Sequence, residues 1–160
     1  MKTKTILALA LLMFISSNQA AEASTQAIQI TDTSAIFLID FAIDASYGAF
    51  EIPALTDSTV TALDRVDVLG YGITDQDSKQ VETTEINALV LGQTSLTDTK
   101  YSMAAGTLAT YTLMIVATFA DPIDTNLTAA ITKFPFWVDG TRTTLHQNQL
   151  DELETATLSQ

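Results

Sequence analysis

His146 is the only histidine of this 160-residue chain, and the sequence contains no cysteine. A Ser-His-Asp triad would have to be built on this residue, yet no G-x-S-x-G nucleophile motif accompanies it. A zinc site needs three or four protein ligands, which one imidazole without thiolates does not supply. A pair of acidic residues could catalyse glycoside hydrolysis, but among nineteen acidic residues the presence of such a pair does not indicate a catalytic site. The sequence therefore favours a protein that is not an enzyme, and we assign no catalytic residue.

Two loops are rich in side-chain oxygens. One contains Asp121, Asp124 and Asn126, and the other contains Asp75 and Asp77. Calcium binds six to eight such oxygens, although neither loop matches an EF-hand. The simpler interpretation is that these aspartates initiate turns by accepting backbone hydrogen bonds. We expect no cofactor, with calcium as the alternative, and leave the metal site unassigned.

The aromatic sequence Phe134-Pro135-Phe136-Trp137 is the best candidate for ligand binding. Exposed aromatic rings stack on sugars and anchor interfaces. Alternation places Phe134 and Phe136 on one side, towards a core, and Pro135 indicates a sheet edge or a bulge. Trp137 is then expected to be half exposed and is the one candidate ligand-binding residue.

The surrounding sequence alternates between apolar and polar residues as β-strands do. Within the segment from Thr107 to Phe119, every odd-numbered residue from Ala109 onwards is apolar. Threonine recurs at the even-numbered positions, which lie on the other side of a strand. The segment from Ala35 to Asp44 repeats this pattern, with Phe37, Ile39, Phe41 and Ile43 facing inwards. Each segment predicts a strand with one face in a core.

Further strand-like segments are 27–31, 50–52, 66–74, 83–91, 127–133 and 141–145. Turn sequences such as Asp121-Pro122 and Asp139-Gly140 separate them. Short strands at this spacing predict an all-β fold, a single antiparallel immunoglobulin-like β-sandwich of about seven to nine strands over residues 24–160.

The N-terminus resembles a secretory signal peptide. Lys2 and Lys4 precede an apolar run from Ile6 to Ile15, and small residues follow. The run is about half the ~20 residues that a membrane span needs. We therefore expect residues 1–23 to be a signal peptide that is cleaved after Ala20 or Ala23, and the product to be secreted, periplasmic or at the cell surface.

The charge of the processed chain limits its partners. A chain beginning at residue 21 keeps five basic and nineteen acidic residues, a formal charge of −14. Nucleic acids and anionic lipids would repel it. No later apolar segment is long enough to insert into a membrane, so the expected partners are other cell-surface proteins, a second copy of the chain, or a glycan.

Several segments together resemble a known class of modules. They are Phe41 to Ala45 leading to Phe50 to Pro53, Tyr101 to Thr107 before the long threonine-rich strand, and Leu153 to Leu158 at the end. This order resembles small secreted immunoglobulin-like modules of bacterial surface proteins. The resemblance implies a sandwich fold and a surface location, and it transfers no catalytic residue.

The leading functional hypothesis is a non-enzymatic β-sandwich of the cell envelope or exterior with a structural, adhesive or assembly role. The alternating segment from Ala27 to Thr31 could add as a strand to a neighbouring molecule, or it could pair within its own domain. The alternative hypothesis is a soluble module that binds a glycan or small ligand through Trp137 and adjacent loops.

Overall fold

The computed structural model describes residues 25–58, 65–150, 153 and 155–160. These residues form twelve strands and a short 3-10 helix, Gln147–Gln149. The predicted signal peptide lies outside the described residues. The strands are β1 (Gln26–Thr31), β2 (Ser34–Asp44), β3 (Phe50–Pro53), β4 (Thr56–Ser58), β5 (Leu69–Asp75), β6 (Thr83–Gly92), β7 (Ser95–Thr97), β8 (Lys100–Met103), β9 (Leu108–Phe119), β10 (Leu127–Val138), β11 (Thr141–His146) and β12 (Ala156–Leu158).

The strands form two sheets that pack against each other. Sheet A has the order β1-β2-β9-β6, and all its pairs are antiparallel. Sheet B follows the path β4-β5-β10-β3-β8-β7, with β11 and β12 also paired to β10. Among the described strands only β4 and β5 pair in parallel. The predicted all-β sandwich is confirmed, but the strands outnumber the expected seven to nine because several are only three or four residues long.

The centre of sheet A is the pairing of β2 with β9. Cross-strand pairs join Phe37 to Ile115 and Ile39 to Leu113, and all four side chains have no exposed surface. The inward residues are the ones that alternation predicted, because a pleated strand presents every second side chain to the same face. Burying each of these side chains contributes roughly 1.5–3 kcal/mol.

Strand β10 is the centre of sheet B and contains a β-bulge. Ile131 pairs with Tyr71 and Lys133 pairs with Gly70, so β10 advances two residues while β5 advances one. The extra residue shifts the alternation of the side chains. The inward positions of β10 are therefore odd-numbered before the bulge, as at Ile131, and even-numbered after it, as at Phe134 and Phe136. The sequence predicted both phenylalanines in the core, and this is confirmed.

Gly92 is required by the close approach of an aromatic ring. A Cβ atom at this position would lie 2.5 Å from Tyr111 Cε1 and closer still to Cδ1. The Tyr111 ring cannot move away easily, since it stacks on Phe41 at 5.6 Å and its hydroxyl bonds to Thr94 at 2.8 Å.

Gly92→Ala is therefore expected to lower the free energy of unfolding by about 2 kcal/mol, the usual cost of overpacking a core. Urea denaturation of the purified protein measures it. In a Tyr111→Leu background the same substitution should cost clearly less, because the ring is gone. An equal cost in both backgrounds would contradict the steric explanation.

Candidate functional site

Trp137 lies on the outer face of sheet B, opposite to the face that Phe134 and Phe136 present to the core. Its indole is 8 % exposed, so the expectation of half exposure is wrong. The Lys100 ammonium lies 3.6 Å from the ring centroid and bonds to Glu51 Oε2 at 3.3 Å. A cation over the indole is stabilising, and here it occupies a face on which a sugar would stack. Sequence alone does not reveal this contact, since Lys100 is 37 residues away along the chain.

Besides Lys79, the described part of the chain has four basic residues, and two of them, Lys100 and Arg142, lie beside Trp137. Arg65 pairs with Asp57 at 3.1 Å, Arg142 pairs with Asp67 at 3.4 Å, and Lys100 pairs with Glu51. The fourth is Lys133, whose ammonium donates to the Arg65 carbonyl. Burial and the nearby Arg142 charge lower the pKa of Lys133. Because three of these cations are each paired with an acidic side chain, those three do not present an open anion site.

The buried hydroxyl of Tyr71 lies at the inner side of the same sheet. Burial, with the Asp57 carboxylate as a smaller cause, raises the pKa of Tyr71 to about 12. An unfolded tyrosine has a pKa near 10, so between the two values the unfolded chain has lost a proton that the folded chain keeps. The folded state therefore loses stability as the pH rises above about 10.

We expect this titration to remove roughly 2 kcal/mol of unfolding free energy by about pH 12. Denaturation curves measured from pH 8 upwards check the slope. The Tyr71→Phe variant should show a shallower decline over the same range. Identical slopes for the two proteins would exclude Tyr71 as the cause.

His146 and the aspartate loops show local structural roles. His146 is exposed at the end of β11, and its backbone N–H donates to Gln149 Oε1 at 3.2 Å. Asp75 Oδ1 accepts the backbone N–H groups of Asp77 and Lys79, each at 2.9 Å. Asn126 Oδ1 accepts the backbone N–H of Gln160 at 2.9 Å. Within residues 25–58, 65–150, 153 and 155–160, no group of three His, Cys, Asp or Glu side chains could hold a metal ion.

A shallow groove of about 540 Å³ opens beside β5 and the start of β6. Its lining includes Ser58, Ile73 and Ile86, and the acidic Glu82 is the one charged side chain among the described lining residues. Ser58 directly precedes residues 59–64, which the structure does not describe. The groove therefore supports no assignment.

The outer face of sheet A carries a continuous group of apolar side chains, a surface that was not predicted from the sequence. Cross-strand pairing aligns Ile28 with Ile36 and then Val116, and the next row contains Leu38, Met114 and Leu89. We call the following residues the apolar face of sheet A: Ile28, Ile36, Leu38, Leu89, Leu91, Met114 and Val116.

Four members of the apolar face of sheet A are strongly exposed. The exposed fractions are 43 % for Ile28, 41 % for Leu89, 47 % for Leu91 and 40 % for Val116. Alternation in β2 and β9 could have revealed this surface, because Ile36, Leu38, Met114 and Val116 occupy the positions opposite to the core. A contiguous exposed apolar surface is typical of a contact with another molecule.

The two edges of sheet A differ in their hydrogen bonding. At the β6 edge, the Thr56 hydroxyl donates to the Ala88 carbonyl at 2.6 Å, and the Tyr101 hydroxyl donates to the Val90 carbonyl at 2.9 Å. Two side chains of sheet B therefore occupy the acceptors that an added strand would use. The segment from Ala27 to Thr31 lies in β1, which pairs with β2 within its own domain and forms the opposite edge.

Comparison with known proteins identifies no family for this chain. No family model matches the sequence, and no curated protein is significantly similar to it. Among the described residues, no helix has the length and apolar character to cross a membrane.

Proposed function

We propose that this protein is a non-enzymatic β-sandwich that acts outside the cytoplasm as an assembly subunit of the cell envelope or exterior. Residues 1–20 or 1–23 would direct its export and be removed as a signal peptide. It would contact other protein subunits through the apolar face of sheet A. The immunoglobulin-like relationship is part of this proposal and is supported by two packed sheets of mainly antiparallel strands.

The observation that carries the proposal is the exposure of the apolar face of sheet A in a chain with a formal charge of −12. A charge of this size keeps a protein soluble. The exposed apolar surface across four strands does not contribute to that solubility, and such a surface favours a contact with another protein. A β-sheet face of another subunit is the partner that fits, because it offers apolar side chains on a similar pleated surface.

The substitution Val116→Glu tests this assignment. It places a charge at the centre of the apolar face, at a side chain that is 40 % exposed, so the fold should tolerate it. The matched control is Thr110→Glu, on the same strand and the same side but outside the apolar face. Velocity sedimentation of mildly cross-linked extracts from the producing cells measures the mass of the assemblies.

We expect the wild-type protein and Thr110→Glu to sediment in assemblies heavier than a single processed chain, whose mass lies below the 17.2 kDa of the full sequence. Val116→Glu should sediment in lighter assemblies than the wild type. If Val116→Glu sediments like the wild type, or if the wild type sediments only as a single chain, the proposed function is wrong. N-terminal sequencing of the exported protein checks that it begins at residue 21 or 24.

A further inference from the structure

Strand β1 is the edge of sheet A at which a further strand can pair. The β6 edge is occupied by the hydroxyls of Thr56 and Tyr101. The strand β12 lies close to β1, and Gln160 Nε2 donates to the side-chain oxygen of Gln29 at 3.0 Å, but among the described residues outside β2 and its turn none makes a hydrogen bond to the β1 backbone. An edge strand with free N–H and C=O groups is a template for another strand.

The direction of the backbone groups along β1 follows from one hydrogen bond. The Asp40 N–H donates to Thr25 Oγ1 at 3.2 Å, so even-numbered residues of β2 direct their backbone groups towards β1. Their partners Gln26 and Ile28 complete these bonds, because N–H and C=O of one residue point to the same side of a strand. Ala27 and Gln29 therefore direct their backbone groups away from the sheet.

The side chains of β1 suit a second copy of the same strand. Ile28 and Ile30 are 43 % and 56 % exposed, and the strand contains no charged residue from Gln26 to Thr31. Most other surfaces of this acidic chain would repel an identical molecule. The uncharged edge is thus a place where two copies can approach closely.

We propose that two copies of this chain pair through β1 in an antiparallel arrangement, with the two-fold axis at Ile28. Ala27 then pairs with Gln29 of the partner subunit, and the symmetric pair gives four backbone hydrogen bonds. Ile28 packs against the partner's Ile28, and the two sheets join into one of eight strands. This inference rests on the proposed assembly function and identifies the partner as a second copy.

The apolar surface supports this arrangement. Ile28 belongs to the apolar face of sheet A and lies beside Ile36 and Val116. Pairing through β1 therefore continues that face across both copies, and it doubles the surface available to a further subunit. An isologous pair of this kind is closed, because both copies use the same edge, β1, to form it.

Opposite charges at position 28 provide the decisive test. Ile28→Lys and Ile28→Glu each place like charges across the two-fold axis, and we expect each variant alone to raise the dimer dissociation constant by about tenfold or more. An equimolar mixture of the two variants should form a heterodimer with an affinity near that of the wild type. Sedimentation equilibrium of the exported protein measures all three samples.

Two further variants report on the backbone. Ala27→Pro removes an N–H that points away from β2, so it should abolish the dimer and leave the melting temperature almost unchanged. Thr110→Glu, on β9 and outside the apolar face of sheet A, should leave the dimer intact. Circular dichroism verifies that each variant is folded.

The outcomes separate this inference from the proposed function. If the wild type dimerises and neither Ile28 variant weakens the dimer, pairing through β1 is wrong while assembly stands. If the wild type is a single chain up to millimolar concentration, the inference is also wrong. Failure of the charge-opposed mixture to restore the dimer would likewise overturn the two-fold axis at Ile28.

Discussion

Replacing Phe134 with alanine is expected to lower the free energy of unfolding by about 4 kcal/mol. The Phe134 ring is 1 % exposed, and it meets Phe41 of the opposite sheet edge-on at 5.5 Å and Phe136 at 6.4 Å. It therefore links the two sheets directly. Its removal leaves a cavity between two rigid layers that can collapse only partly, and that residual cavity adds to the lost burial.

Urea denaturation of Phe134→Ala measures this loss, and Phe134→Leu is the control. Leucine keeps most of the buried volume, so it should cost clearly less than alanine. A domain of this size has a total stability of about 5–15 kcal/mol, and the alanine variant is expected to be near its unfolding threshold. A loss below about 1 kcal/mol would show that Phe134 does not pack as described.

Replacing Trp137 with alanine is expected to cost about 3 kcal/mol, less than its size alone suggests. The indole is nearly buried but lies on the outer face of sheet B, where Lys100 covers it. After its removal the flexible lysine can fill part of the space, or water can enter from solvent. The loss of the cation contact contributes up to about 1 kcal/mol of the total.

Two controls separate packing from charge at Trp137. Lys100→Met keeps an apolar chain over the ring and removes the ammonium, so it should lose only the smaller, electrostatic part. Trp137→Phe should lose an intermediate amount. If Trp137→Ala were as stable as the wild type, the cover by Lys100 would contribute nothing.

The same variant tests the glycan-binding alternative. A glycan array probed with the wild type and with Trp137→Ala measures ligand binding, and denaturation measures stability in parallel. Because Lys100 occupies a ring face, we expect no Trp137-dependent glycan signal. A glycan bound by the wild type and lost in a folded Trp137→Ala variant would instead favour the binding module.

Much of the fold could be predicted from long alternating segments. The segments 35–44 and 107–119 gave the central strands β2 and β9 and their inward residues, because eleven or twelve residues in period two leave little choice of face. The turn at Asp139 and Gly140 was also predictable. Both residues have positive φ, 46° and 77°, which their types tolerate in a two-residue hairpin.

Other elements depended on contacts distant in sequence. Strands β4, β7 and β12 have three residues each, too few for a pattern, and they exist because longer strands pair with them. Pro135 indicated an irregularity, but the bulge lies between Ile131 and Lys133. Its position is set by the pairing with β5, which the sequence of β10 alone does not contain.

The candidate surfaces divide in the same way. Composition determined the charge, the absence of thiol chemistry and the strand class, since these depend only on which residues are present and on their period along the chain. The tertiary structure decided that Lys100 covers Trp137, that Thr56 and Tyr101 occupy one edge of sheet A, and that β1 remains the other edge. These features depend on contacts between side chains that are far apart in sequence. Strand order and register determine those contacts, and the local alternation of residues does not specify either of them.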